Sequence, residues 1–237
     1  MVPIVAFCVE HPSAGAILID TGLDPSVVDN PRQSLGLIGS RTFRSVRMKP
    51  EQTVPAQLRE RDIDPSRLAA VVMTHLHIDH ASGVSQFPDA TFVVSSREWE
   101  AARSGMLHGY VKAQFDHGFD WRRLDFDSAD SDSYATFGRS YDLLGDGSVR
   151  LVFTPGHTLG HFSVILRLRE REVLVAGDAI YNLTALRESH LPYRMEDPHL
   201  YRRSLREIQL YEKANPQALI VPGHDMERWE TLETVYE

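Results

Sequence analysis

The sequence predicts an α/β protein of the α+β kind, with two β-sheets packed together and helices outside. Three observations carry that expectation. Short runs rich in β-branched residues outnumber the amphipathic helical stretches. They fall in two sets on either side of a central helical region. The chain of 237 residues, 42% of them hydrophobic, is also long enough to build a core with sheets and covering helices. One domain spanning 1–237 is the expected organisation.

The elements follow in order. IVAFCVE (4–10) and AILIDTG (16–22) read as a hairpin of strands around the turn HPSAG. Cys8 sits inside the first apolar run, where buried packing is expected. Residues 23–50 carry Pro25, Pro31, Gly36, Gly39 and Pro50 with little periodicity. They read as a long surface segment, a type that often carries function. TVPAQLRERDI (53–63) is a helix with Pro55 in its first turn. LAAVVMT (68–74) and ATFVVS (90–95) are buried strands. Ser95 stands three residues before Glu98, a capping box opening the helix SREWEAARS. Residues 107–124 are amphipathic and read as helical, with Phe115, Phe119 and Trp121 as helix packing. The polar, acidic stretch 125–142 reads as an excursion or flap. SVRLVFT (148–154), FSVILRL (162–168) and EVLVAGD (172–178) form a run of strands. Asp197 and Pro198 make an N-cap and first-turn pair for a helix over 198–214. ALIVPGHD (218–225) is a last strand and loop, and no repeat, heptad or low-complexity tract interrupts the pattern.

Charge and cysteine content exclude several classes. The formal net charge of -8 is the wrong sign for a nucleic-acid partner, which calls for a basic face. Cys8 is the one cysteine, so neither an intramolecular disulfide nor a thiolate zinc cluster can form, and a reducing cytoplasm fits. No apolar run approaches the ~18 residues of a membrane span, and no basic-then-apolar leader opens the chain, so no membrane partner is expected.

The chemistry concentrates in THLHIDHASG, Thr74–Gly83. His75, His77, Asp79 and His80 crowd directly after an apolar strand. An extended backbone points His75 and His77 to one side. Gly83 and the small residues Ala81 and Ser82 then allow a turn, which puts Asp79 and His80 at the start of a short helix. Neutral imidazoles and a carboxylate are ligands for zinc, iron, manganese or cobalt. Three further residues share one context, an apolar run ending beside a glycine: His157 in FTPGHTLGH, Asp178 in VLVAGDAIY and His224 in LIVPGHD. Seven donors exceed the four a tetrahedral ion takes and suit two ions with one carboxylate bridging.

HLHIDH followed in order by His157, Asp178 and His224 resembles the metallo-β-lactamase fold superfamily over residues 16–225. ILIDTG resembles that superfamily's early Asp-Thr-Gly turn. Within it, GDAIYN and GHDMERWE are most similar to the N-acyl homoserine lactonases, whose pattern places a tyrosine three residues after the bridging aspartate, as Tyr181 stands here. The resemblance implies an αββα four-layer sandwich of two mixed sheets with the site at one edge. It implies one ion on His75, His77 and His157, a second on Asp79, His80 and His224, and Asp178 between them. The expected activity is metal-dependent hydrolysis of a lactone, in particular an N-acyl homoserine lactone, by a metal-bridging hydroxide. Tyr181 would assist at the carbonyl and Asp79 would pass a proton to the leaving oxygen. Zinc is the first expectation for the two divalent ions. This chain begins almost at the hairpin, whereas the lactonases carry a strand and loop upstream of it, so substrate preference is the part least carried over.

Competing readings remain at this stage. The same residues could hydrolyse an ester, a thioester in the manner of glyoxalase II, or a phosphoester. A metal-bound scaffold without catalysis is the alternative of a different class. Asp20 reads as a supporting or turn residue, and the superfamily pattern gives His161 a supporting place. Asp225 is open to a contact with a ligand imidazole. His11, His108, His117, His190 and His199 lack the strand-end context and read as surface or packing residues. A small-molecule substrate is the expected partner, and a homodimer is among the open assemblies.

Overall fold

The computed structural model describes residues 3–43 and 45–237. Met1 and Val2, and Arg44 within the segment read above as a surface loop, lie outside the described residues. Contacts divide the chain into two compact units. The first comprises Ile4–Val94 and Ala102–Arg123, and the second Pro3, Ser95–Ala101 and Leu124–Glu237.

The first unit is built on a five-stranded mixed sheet of β1 (Phe7–His11), β2 (Gly15–Ile19), β3 (Ala70–Val72), β4 (Thr91–Ser95) and β5 (Asp120–Leu124), in that spatial order. β1 and β2 are the expected antiparallel hairpin, while β3 runs parallel to both β2 and β4. Ile17, Ile19, Val71 and Val72 are completely buried. Each such side chain stabilises the fold by about 1.5–3 kcal/mol relative to exposure, which explains why an apolar run delivers the histidine cluster. β1 is an edge strand, so its side chains alternate between half-buried and exposed. Cys8 falls on the exposed positions, against the expectation of buried packing. Local desolvation and the Glu10 carboxylate push its thiol up to about 11, so it stays protonated.

Two other expectations in this unit change. Residues 23–50 contain the helices Pro25–Asp29 and Pro31–Thr42, the second kinked at Gly36 with φ 69°. Asp24 caps the first by accepting from the Ser26 N–H at 2.9 Å, and Val27 and Leu35 pack with Leu23 and Ile78. Residues 107–124 are not one helix. Gly109 takes a positive φ of 93°, and after it the described residues of the span form the short α-helix Lys112–Phe115 and then β5. Trp121 stacks on Phe92 of β4 with ring centroids 4.8 Å apart, so its aromatic packing is that of a strand.

The second unit carries a six-stranded mixed sheet. Its strands are β6 (Asp132–Tyr134), β7 (Phe137–Asp142), β8 (Val149–Phe153), β9 (Phe162–Arg167), β10 (Glu172–Gly177) and β11 (Leu219–Pro222). The spatial order is β11-β10-β9-β8-β7-β6, antiparallel except for the parallel pair β10 and β11. The stretch read as a flap thus holds an edge hairpin. A two-residue turn with Ala135 at φ 51° joins β6 to β7, and edge strands need few apolar residues. The helix Pro198–Ala214 matches its expected bounds. Asp197 Oδ1 accepts from the His199 and Leu200 N–H groups at 2.8 and 2.9 Å, and Tyr201, Leu205, Ile208 and Tyr211 recur at helical spacing on the buried face. These N–H donors, that of Leu200 first, hold the Asp197 carboxyl below the usual range. Among the described residues no helix is long and apolar enough to cross a membrane.

Candidate functional site

In the first unit, the turn after β2 organises the histidine cluster. Asp20 adopts φ 58°, a costly backbone for a residue with a side chain, and tertiary contacts hold it there. Its Oδ1 accepts from the Thr74 N–H at 2.8 Å, and its Oδ2 accepts from the Thr74 hydroxyl at 2.8 Å. The same Oδ2 lies 2.8 Å from His80 Nδ1. Thr21 donates to the His80 carbonyl through its N–H at 2.9 Å and its hydroxyl at 2.7 Å. Gly83 passes so close to this turn that a Cβ there would stand 2.5 Å from the Thr21 carbonyl oxygen.

These contacts fix the form of two imidazoles. A carboxylate on Nδ1 selects the Nδ1–H tautomer of His80, with the lone pair on Nε2. Thr74 has one hydroxyl proton and gives it to Asp20, so toward His75 Nδ1, 3.1 Å away, its oxygen accepts. His75 therefore also presents Nε2 as its basic nitrogen. His77 stands before the short helix Ile78–Ala81, its ring 4.8 Å from that of His75 and 4.9 Å from that of Tyr110. Asp79 Oδ2 is 3.9 Å from His80 Nε2. His75 and His80 are buried, while Asp79 is partly exposed. The structure thus brings the four residues of HLHIDH into one cluster.

In the second unit, strand pairing brings three loops to one edge of the six-stranded sheet. β8 ends opposite the start of β9, with Phe153 paired to Phe162, and His157 lies in the loop that joins them. β10 runs antiparallel to β9 and parallel to β11, so Asp178 and His224 leave their strands at that same edge. Asp178 Oδ2 lies 3.2 Å from His157 Nε2, and its Oδ1 lies 3.3 Å from His224 Nε2. One carboxylate faces two imidazoles with separate oxygens. Tyr181 closes the group: its hydroxyl is 3.4 Å from His157 Nδ1, and its ring stands edge-on to His224 at 5.3 Å. A cavity of about 690 Å³ opens beside Tyr181 and His224, lined also by Leu183, Leu191, Tyr201 and Met226. Burial, then the Asp178 carboxylate, pushes the Tyr201 phenol well above its ordinary value, so it remains a neutral hydroxyl.

Two supporting contacts complete this group. Asp225 caps the helix Met226–Glu230 through the Arg228 N–H at 2.9 Å, and its other oxygen accepts from the Leu183 N–H at 2.9 Å. The partner of His224 Nδ1 is the Pro3 carbonyl at 3.0 Å, which selects Nε2 as the basic nitrogen once more. A backbone carbonyl leaves no mark in a sequence, so nothing there could have identified it. The reading of Asp20 as a supporting residue, by contrast, agrees with its contacts. His108 and His190 are exposed, as expected of residues outside the site.

Comparison with known proteins adds a relationship. A model of the Metallo-beta-lactamase superfamily matches residues 2–224. N-acyl homoserine lactonase AttM of Azorhizobium caulinodans is 34% identical over 234 residues, covering 96% of this chain and 84% of that protein. N-acyl homoserine lactonase AiiA of Bacillus thuringiensis subsp. kurstaki is 29% identical over 222 residues, covering 90% and 78%. Among solved structures, a variant of B. thuringiensis AiiA with N-decanoyl-L-homoserine bound at its active site superposes with a TM-score of 0.81 at 25% identity. It covers all of this chain and 86% of that one. An N-acyl homoserine lactone hydrolase with N-hexanoyl-L-homoserine at its catalytic metal centre gives the same score, identity and coverage. The two mixed sheets with their helices match the fold of these neighbours. That fold and the set of histidines and aspartates fit a dinuclear metal site.

Proposed function

Because this chain belongs to the metallo-β-lactamase superfamily, we propose that it is a dinuclear-metal hydrolase that opens the lactone ring of N-acyl homoserine lactones. The similarity to N-acyl homoserine lactonases across 96% of the chain carries this reading. We assign one ion to His75, His77 and His157 and the other to Asp79, His80 and His224, with Asp178 bridging. We read the chain as a single hydrolase domain, 1–237.

The donor chemistry supports the assignment. His75, His80 and His224 each have an oxygen acceptor on Nδ1, the arrangement that turns Nε2 into a metal ligand. All donors are imidazole or carboxylate, a set that zinc takes readily and that iron, manganese and cobalt also accept. When bound, such an ion pair supplies an activated water at neutral pH and positive charge for the carbonyl and leaving oxygens.

The chain's own groups do the rest. The Tyr181 hydroxyl donates to the carbonyl oxygen as negative charge develops there, an interaction that strengthens toward the transition state. Asp79, partly exposed at the first turn of its helix, accepts the proton given up by the attacking water and passes it to the alkoxide as the ring opens. The 690 Å³ cavity beside Tyr181 is of the size that small-molecule sites take. A cytoplasmic location suits a chain with a single cysteine.

A pH-indicator assay over a panel of lactones, thioesters and aryl phosphates tests the reading. Ring opening of N-acyl homoserine lactones should exceed every other activity, and a chelator should abolish it without unfolding the protein. Preferential turnover of thioesters or phosphoesters, or turnover that survives metal removal, contradicts it.

A further inference from the structure

We propose that His161 is a positioning residue for Asp178, holding that aspartate's backbone through a buried, one-directional hydrogen-bond chain; the inference rests on the bridging role assigned to Asp178 above. His161, Thr154 and Ser163 are each 0% exposed, and Asp178 is 3% exposed. The Asp178 N–H donates to His161 Nε2 at 3.0 Å. His161 Nδ1 lies 3.0 Å from Thr154 Oγ1, which lies 2.8 Å from Ser163 Oγ. Ser163 Oγ donates to the Ala176 carbonyl at 2.9 Å.

Proton count gives every link a direction. An amide N–H only donates, so Nε2 carries the lone pair and the neutral ring holds its proton on Nδ1. A carbonyl only accepts, so the Ser163 proton goes to Ala176. Ser163 then accepts from Thr154, and Thr154 accepts from His161. The Nδ1–H tautomer satisfies all four contacts at once.

The ends of the chain show its purpose. It starts at the Asp178 N–H and finishes on the Ala176 carbonyl, bracketing Gly177, whose φ is 53°. That left-handed residue turns the backbone off β10. A clamp on both of its neighbours sets the direction in which the Asp178 carboxylate leaves, and hence its 3.2 and 3.3 Å spacing to His157 and His224. His161 itself uses both ring nitrogens in the chain, so it serves the site through Asp178.

Two substitutions separate positioning from filling. In His161→Gln the amide oxygen can take the place of Nε2 and still accept from Asp178. In His161→Asn the amide reaches only the Nδ1 position and leaves the Asp178 N–H without its acceptor. The Gln variant should keep two ions and a kcat within about threefold of wild type. The Asn variant should lose about 10–100-fold in kcat or metal affinity with KM unchanged. In the as-purified protein, the Asp178 amide should exchange faster in the Asn variant only, and the imidazole nitrogen shifts of wild type should report the Nδ1–H tautomer. Thr154→Val, at nearly constant volume, removes the acceptor for Nδ1–H and so favours the Nε2–H tautomer, which cannot accept from the Asp178 N–H. Unlike the Gln variant it should move kcat and amide exchange in the direction of the Asn variant, and it serves if His161→Asn fails to fold. Equal impairment of Gln and Asn, an unimpaired Asn variant, or an Nε2–H tautomer overturns the proposal. Tautomer and exchange are read without turnover, so their failure is distinct from a wild-type protein that lacks two ions, which overturns the parent reading instead.

Discussion

Gly223→Ala is the most local perturbation of the proposed bridge. A Cβ at position 223 would stand 2.5 Å from Asp178 Oδ1 and 2.8 Å from the Gly177 carbonyl oxygen, where ordinary contact begins at 3.4 Å. The carboxylate oxygen must therefore retreat by roughly 0.9 Å, because the backbone of Gly177 has less freedom to move. Oδ1 is also the oxygen 3.3 Å from His224 Nε2, so the retreat changes the carboxylate's relation to one side of the site. A misplacement of about 1 Å costs about 100-fold in rate. The overpacking itself costs about 1–3 kcal/mol of stability. The assay is steady-state opening of an N-acyl homoserine lactone with a pH indicator, with thermal unfolding and metal analysis on the same preparation. We expect kcat to fall about 100-fold and the variant to remain folded. A variant that retains two ions and a near-normal kcat refutes the argument that Asp178 is held by close packing against residue 223.

Other substitutions probe the remaining parts. Asp178→Asn should reduce turnover by orders of magnitude and lower metal occupancy, since a neutral amide bridges poorly; near-normal turnover removes the bridging role. Tyr181→Phe should lower kcat by about tenfold and leave metal content intact, less than the ~100-fold or more for loss of a sole oxyanion donor, because the ions share that charge. An unchanged kcat leaves Tyr181 as packing. In the second unit, burial and the Glu172 carboxylate raise the Tyr134 phenol from its ordinary value of 10 to about 12. The raised value means its contribution to stability is complete below pH 10 and is lost as pH rises through about 12. Urea midpoints across that window should fall less steeply for Tyr134→Phe, and parallel curves contradict the assignment.

The legible part of this sequence is what local chemistry dictates. HLHIDH is readable because imidazoles and a carboxylate seldom crowd after a buried strand, and the strands β3, β8, β9 and β10 announce themselves through β-branched runs. The helix Pro198–Ala214 is legible through its Asp197 cap. The errors have physical causes. Asp24-Pro25 and Asn30-Pro31 are cap and first-turn pairs, a signal present in residues 23–50 but outweighed by the absence of periodicity in short, kinked helices. The span 107–124 reads as helical because its apolar spacing ignores Gly109, whose positive φ breaks a helix. Cys8 looked buried because apolar composition does not reveal that β1 is an edge. The Pro3 carbonyl on His224 and the chain from Asp178 to Ala176 were invisible, since backbone atoms distant in sequence carry no pattern.

Elemental analysis of the chain purified without chelator bears most directly on the dinuclear reading. The seven donors, four from HLHIDH with His157, Asp178 and His224, should retain about two divalent ions per chain. A protein that is folded and holds none, or only one, contradicts the account.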